Sequence, residues 1–130
     1  MPRYFTLEQA RASLPAVRAL MERAQREKAR ADELASAQAQ AAARILGNGH
    51  GSANGSAQGQ RDLQQAVTQL EATVQEIEET GCLVKDLDLG LVDWPHLRDG
   101  HEVYLCWHLG EADIGYWHEI ADGFRGRQPL

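Results

Sequence analysis

The chain has 130 residues, of which 43% are hydrophobic and 25% charged. This size and balance are typical of one globular domain and exclude a largely disordered chain. No apolar run approaches the roughly 20 residues that a membrane-spanning helix needs, and the first residues do not resemble a secretory signal. Two cysteines, Cys82 and Cys106, do not form a disulfide framework, so a cytoplasmic protein with free thiols is expected.

The charge is distributed unevenly along the chain. The formal net charge is −6, with +3 in residues 1–60 and −9 in residues 61–130. An acidic surface repels the phosphates of nucleic acids, so we expect neither a nucleic-acid partner nor a membrane partner.

The first predicted element is a long helix over residues 6–46. Thr6 and Gln9 have the spacing of a capping box, which marks its start. Apolar residues then recur at intervals of three and four, which defines one buried face. Pro15 lies inside this pattern and predicts a kink. The later part of the segment is rich in Ala, Gln, Glu and Arg, all good helix formers.

A flexible linker rich in Gly, Ser and Asn is predicted over residues 47–59, and a second helix over residues 60–80. In that helix a narrow apolar seam repeats with four-three spacing: Leu63, Val67, Leu70, Val74 and Ile77. The two helices are expected to pack as an antiparallel hairpin within the chain. The alternative use of the seam is to form a homodimer or to bind a helical protein partner.

The chain changes character at residue 81, and residues 81–130 predict a small antiparallel β unit followed by a C-terminal loop. Residues 83–93 are expected to be extended, ending at Trp94–Pro95, and Asp99–Gly100 predicts a turn. Residues 102–109 and 114–120 predict two strands of a hairpin. The expected fold class is therefore α+β in a single domain, a helical hairpin followed by the β unit.

Several short runs of this second half resemble one protein family. They are Lys85–Asp93, Val103–Trp107, Gly110–Glu111, Tyr116–Glu119 and Gly123–Phe124, together with Arg127. In order and residue type they resemble the bacterial family called domain of unknown function 2203, as does the start at Phe5–Glu8. Trp94 and His101 depart from its pattern, which has Phe and Arg there. The resemblance implies a bacterial, intracellular, single-domain protein and carries no activity.

The register of the predicted hairpin decides which polar side chains meet. Alternation places Tyr104, Cys106 and His108 on one face of the first strand, and places His118 on one face of the second. With a three-residue loop Cys106 lies opposite His118, and all three potential ligands share a face. With a two- or four-residue loop Leu105 lies opposite His118, which then leaves that face. The sequence leaves both registers open.

The shared face suggests a metal site formed by Cys106, His108 and His118. One thiolate and two imidazoles suit zinc or another divalent transition metal, and three protein ligands leave a position open. A nearby carboxylate would complete the site or orient an imidazole, and three aspartates are candidates: Asp86, Asp88 and Asp93. The ordinary alternative to a metal site is that the two histidines only form hydrogen bonds and that Cys106 is buried as a small apolar residue.

Two other functions fit the sequence. One is an interaction or homodimerisation module without catalytic activity, which would use the apolar seam of the hairpin. The other is a metal-free ligand pocket or small enzyme, with aromatic walls, acid or base groups and an arginine clamp. The residues expected to line that pocket are Trp94, Tyr104, Glu111, Tyr116, Glu119, Arg125 and Arg127. Whether the protein is an enzyme stays open.

Overall fold

In a computed structural model, which describes residues 3–48 and 53–130, two helices precede a five-stranded antiparallel sheet. The helices are α1 (Leu7–Asn48) and α2 (Ala53–Glu79). The strands are β1 (Leu83–Asp86), β2 (Leu91–Arg98), β3 (His101–His108), β4 (Tyr116–Glu119) and β5 (Gln128–Pro129). They are ordered in the sheet as they are in the chain. The α+β class and the helical hairpin are confirmed.

The start of α1 has the predicted cap. The Thr6 backbone N–H donates to Gln9 Oε1 at 2.9 Å, and the Gln9 N–H donates to Thr6 Oγ1 at 3.1 Å. These reciprocal bonds satisfy two backbone donors that no helical carbonyl can reach. The helix continues through Pro15, which lies on its exposed side.

Both helices extend further into the Gly/Ser-rich stretch than the sequence predicted. The expected linker of residues 47–59 is wrong at both ends, because α1 reaches Asn48 and α2 begins at Ala53. Residues 49–52, where a linker is still expected, lie outside the described residues. Gly59 shows why glycine suits this part of α2, since a Cβ there would lie 2.1 Å from Oε1 of Gln38 on α1. The absence of a side chain lets the two helices approach closely.

The seam of α2 packs within the chain. Its buried face consists of Ala66, Thr73 and Ile77, and Arg23 of α1 donates from Nε to the Thr73 hydroxyl at 3.2 Å. The remaining seam residues are half-buried: Leu63, Val67, Leu70 and Val74. Homodimerisation through this hairpin stays a prediction.

One face of the sheet packs against α1 and α2, and we call it the inner face. Its buried side chains are Val92, Trp94, Val103, Leu105 and Trp107. On the helices and the segments that flank them, the buried partners are Phe5, Ala10, Leu14, Val17, Met21, Ala24 and Ile77. Trp94 donates its indole N–H to the Ser13 hydroxyl at 3.1 Å, which ties β2 to α1. The opposite face, which we call the outer face, is the one that carries the polar side chains.

The tightest hairpin joins β2 to β3 through Asp99 and Gly100, the turn that the sequence predicted. Both have positive φ, 52° and 79°, as a two-residue hairpin turn requires. β2 therefore runs past Trp94–Pro95, where the sequence predicted its end. The C-terminal tail, expected to be a loop, contributes β5, which pairs with Tyr116 and Trp117 of β4.

Candidate metal centre

Three neighbouring strands each contribute one side chain to a polar cluster on the outer face. Val92 and Trp94 point inward from β2, so the intervening Asp93 points outward. Asp93 pairs directly with Cys106 of β3. His118 of β4 pairs with Tyr104, the residue two before Cys106, and shares their face because facing residues lie on the same side of a sheet. The cluster of Asp93, Cys106 and His118 is thus assembled by strand pairing.

The members of this cluster are close together and buried. One ligand atom from each of Asp93, Cys106 and His118 lies within 4.8 Å of the others. Their exposed fractions are 2%, 0% and 2%. Ligands of one tetrahedral zinc ion lie roughly 3.3–3.6 Å apart, given bonds of about 2.0–2.3 Å. The three groups are therefore near the spacing that a single ion requires, and carboxylate, thiolate and imidazole are all ligands that zinc accepts.

The hydrogen bonds of His118 orient its ring for such a role. Nδ1 lies 2.7 Å from the backbone carbonyl oxygen of Glu119, which can only accept, so Nδ1 carries a proton. Nε2 lies 3.1 Å from both carboxylate oxygens of Asp93. In the neutral ring Nε2 bears a lone pair, and a lone pair that faces a carboxylate needs a cation between them. A proton or a metal ion fulfils that need, and an Nδ1–H bonded to a carbonyl is the usual second contact of a metal-bound histidine.

Cys106 is held as a neutral thiol in the absence of an ion. Burial is the largest cause and raises the pKa of the Cys106 thiol to about 12. The charge of Asp93 and a hydrogen bond to it raise the pKa further, whereas the charge of Arg127 lowers it. A thiol of this kind is a poor nucleophile at neutral pH, because only the thiolate reacts. A bound cation would stabilise the thiolate directly.

His108 does not belong to the cluster, so its assignment as a ligand is wrong. Its face is as predicted, but residues two apart on a strand are separated by about 6.6 Å along the chain. The ring is turned away, with Nδ1 2.9 Å from the Leu109 carbonyl oxygen and Nε2 3.8 Å from a carboxylate oxygen of Glu111. It also meets the Phe124 ring edge to face. The register explains the outcome, because His108 pairs with Leu91 rather than with a polar residue.

Of the three candidate carboxylates, only Asp93 reaches the cluster. Asp86 accepts the backbone N–H of Leu89 at 3.0 Å within the turn after β1. Asp88 is exposed and lies 3.1 Å from the Lys28 ammonium of α1. These two aspartates have structural partners in the turn and on the helix.

The residues predicted to form one pocket lie apart. Trp94 is fully buried on the inner face, whereas Tyr104 and Tyr116 lie on the outer face. Tyr104 meets the His118 ring edge to face, with centroids 5.6 Å apart, and the Lys85 ammonium lies over the Tyr104 ring, 4.7 Å from its centroid. An aromatic pocket that includes Trp94 is therefore excluded, because the sheet itself separates the two sides.

The charged members of that predicted set are also divided. Glu111 pairs with Arg127 at 2.5 Å beside the cluster. Glu119 pairs with His101 at 2.6 Å at the far end of the hairpin. Arg125 is exposed in the short 3-10 helix Phe124–Gly126. Only Arg127 and Glu111 therefore adjoin the cluster.

The sequence held one signal that singles out Asp93. Among the three candidate aspartates it alone lies between residues that form a buried strand, Val92 and Trp94. A carboxylate that alternates with core residues in a central strand is costly to bury without a partner. That cost would have favoured Asp93 over Asp86, which ends β1, and over Asp88, which lies in the turn that follows.

Comparison with known proteins identifies the family of this chain. None of the helices in the part of the chain that the structure describes is long and apolar enough to cross a membrane. No curated protein and no solved structure matches the chain. A family model described as "Uncharacterized conserved protein (DUF2203)" matches residues 3–130, nearly the whole chain. The resemblance that the motifs of the β unit carry is thereby confirmed: the protein belongs to the DUF2203 family.

Proposed function

We propose that this protein binds a divalent transition metal, zinc by preference, through Asp93, Cys106 and His118. The observation that carries the proposal is the convergence of three different metal-ligating groups, buried on one sheet face with their ligand atoms within 4.8 Å. The tautomer of His118 supports it, because Nδ1–H is bonded to a carbonyl and Nε2 is directed into the cluster.

The chemistry of the three groups favours zinc among the divalent metals. Magnesium and calcium prefer oxygen ligands only, whereas a thiolate and an imidazole suit zinc, cobalt and similar ions. Asp93 and Cys106 as anions would balance the two charges of the ion, which allows it to lie in a buried site. Three protein ligands leave one position for a further small ligand.

The proposed ion joins the three central strands of the sheet. Asp93 belongs to β2, Cys106 to β3 and His118 to β4. An ion held by all three adds its binding free energy to the stability of the fold, because the unfolded chain does not present this site. The proposed role is therefore a metal-stabilised domain in which the ion retains one exchangeable position.

The test is metal binding by protein that lacks a polyhistidine tag. The metal content is measured by mass spectrometry after purification without chelators, and the metal-free protein is then titrated with Co²⁺. We expect about one equivalent of metal and the absorption of tetrahedral Co²⁺, with a sulfur-to-cobalt charge-transfer band that reports the thiolate. A content below about one-tenth of an equivalent, with no Co²⁺ spectrum, would contradict the proposal.

A matched pair of cysteine variants identifies the sulfur. Both cysteines are free and buried, but Cys82 donates its thiol to the Ile77 carbonyl oxygen and is not a member of the cluster. Cys106→Ser should abolish the charge-transfer band, and Cys82→Ser should leave it unchanged. Loss of the band in both variants would show that the fold, rather than ligation, had been disturbed.

A further inference from the structure

Arg127 is placed against the candidate metal centre by the C-terminal segment. Nη2 donates to Oε1 of Glu111 at 2.5 Å and lies 3.5 Å from the backbone carbonyl oxygen of Cys106. The guanidinium lies over the rings of Tyr116 at 4.1 Å and Phe124 at 4.9 Å. The side chain is only 12% exposed, so its position is defined by packing on several sides.

One donor of this guanidinium has no acceptor. Among residues 3–48 and 53–130, Arg127 Nε is a buried side-chain nitrogen that lacks a hydrogen-bond partner. A buried donor without an acceptor destabilises the folded state, and such an atom needs an explanation when it lies beside a site. Nε and Nη2 form one edge of the planar guanidinium, with N–H bonds that point the same way. Nη2 contacts Cys106 and Glu111, so the unpaired Nε–H of the same guanidinium lies next to these two residues.

Cys106 is the cluster residue that lies beside this donor, since Arg127 Nη2 is 3.5 Å from the backbone carbonyl oxygen of Cys106. Burial raises the pKa of the Cys106 thiol, and the positive charge of Arg127 opposes that shift. A neutral thiol is a weak acceptor, whereas a metal-bound thiolate accepts strongly.

We propose that Arg127 is a positioning residue of the metal centre, whose Nε–H donates to the Cys106 sulfur when Cys106 binds the metal as a thiolate. This inference rests on the proposed function. It assigns a purpose to the unpaired donor and to the contacts that Phe124 and Arg127 make with the outer face. Hydrogen bonds to the ligands of a metal typically change its affinity by 10–100-fold.

The competing role of Arg127 is to neutralise Glu111. Spectroscopy distinguishes this role from a hydrogen bond to the Cys106 sulfur. A hydrogen bond stabilises the sulfur lone pair, so its loss moves the sulfur-to-cobalt charge-transfer band to longer wavelength. Arg127→Met should show that shift and bind Co²⁺ at least about 10-fold more weakly. Arg127→Lys, which keeps the charge and a donor, should restore part of both. Glu111→Gln removes the ion pair and keeps the guanidinium, so its charge-transfer band should stay at the wild-type wavelength. Arg125→Gln controls for charge in the same turn.

A wild-type measurement covers the case in which Arg127→Met does not fold. Zinc is added to metal-free wild-type protein labelled with nitrogen-15, and the side-chain Nε–H signals of Arg127 and Arg125 are followed. The Arg127 signal should move and become protected from exchange, and the Arg125 signal should not.

The outcomes are distinguishable. If wild-type protein binds no metal, the proposed function fails and this inference fails with it. If wild-type protein binds metal, but Arg127→Met keeps the band and affinity or the Arg127 Nε–H signal does not respond, only the inference is overturned. A band shift in Glu111→Gln equal to that in Arg127→Met would also overturn it, since the ion pair would then suffice.

Discussion

Cys106 and His118 share the outer face of the sheet but are not paired with each other, since Cys106 lies opposite Tyr116 and His118 lies opposite Tyr104. On the other side of β3, Asp93 of β2 lies opposite Cys106. The Asp93 carboxylate approaches Nε2 of His118 at 3.1 Å across β3. The candidate site therefore spans three strands rather than one hairpin.

The two histidines on this face give a direct test of which one binds metal. His118→Gln removes a member of the cluster, so Co²⁺ affinity should fall by at least about 10-fold. His108→Gln alters a ring that faces Leu109 and Phe124, so affinity should stay within about threefold of wild type. Competition titrations against a chromophoric chelator measure both values. Equal losses in the two variants would count against the cluster as described.

Metal loading should stabilise the fold. A ligand that binds only the folded state adds about 2.7 kcal/mol at a free concentration of 100 times its Kd. Zinc should therefore raise the Tm of the metal-free wild-type protein, and a chelator should reverse the change. Calorimetry of Cys106→Ser provides the control, because its Tm should respond little to zinc. A wild-type Tm that is the same without zinc and at saturating zinc would refute this expectation.

The pKa values of the two cysteine thiols predict how the free energy of unfolding of the metal-free protein changes at alkaline pH. Burial is the main cause that raises the pKa of Cys106 to about 12 and that of Cys82 to about 11, against about 8.5 in an unfolded chain. Between these values the unfolded chain has lost thiol protons that the folded chain retains. The unfolded state then binds fewer protons, so the free energy of unfolding falls as pH rises. The contribution is complete below about pH 8.5 and is lost towards about pH 11–12.

Urea unfolding at a series of pH values from about 8 to 10 measures this slope. Each of Cys106→Ser and Cys82→Ser should flatten it, because a serine hydroxyl does not titrate there. The other titrating groups are common to all three proteins and cancel in the comparison. A slope that is the same in wild type and both variants would contradict the argument.

Gly81 should be essential to the junction between α2 and β1. Its φ is +112°, and a Cβ there would lie 2.0 Å from Cζ of the buried Phe5 ring. Gly81→Ala combines backbone strain with a clash in the core, so we expect a loss of about 2–4 kcal/mol in the free energy of unfolding. Gly115→Ala is the control, because nothing lies within 4 Å of a Cβ at that position. Chemical denaturation compares the two, and similar losses would disprove the specific role of Gly81.

Local patterns in the sequence were sufficient for much of the architecture. The capping box at Thr6, the apolar periodicity of both helices and the Asp99–Gly100 turn depend on interactions within a few residues. Such short-range preferences follow directly from the residue types. The sequence did not predict that α2 begins at Ala53 and runs through Gly59, because the fit of that glycine against Gln38 depends on the partner helix.

Alternation along β3 likewise determined that Cys106 and His108 would share one face and that Leu105 and Trp107 would share the other. It did not determine which residues on neighbouring strands would meet, because that depends on register. Neither register considered for the hairpin occurs, since residues 109–115 connect the strands over a longer path and Tyr104 faces His118.

Only the tertiary structure brought Asp93 to Cys106 and His118 and left His108 outside. The sheet places β2 beside β3, so a carboxylate 13 residues before Cys106 becomes its direct neighbour. The physical reason is that residue type and short-range spacing define faces, whereas the distances between ligand atoms are set by which strands pair and by how far each is shifted.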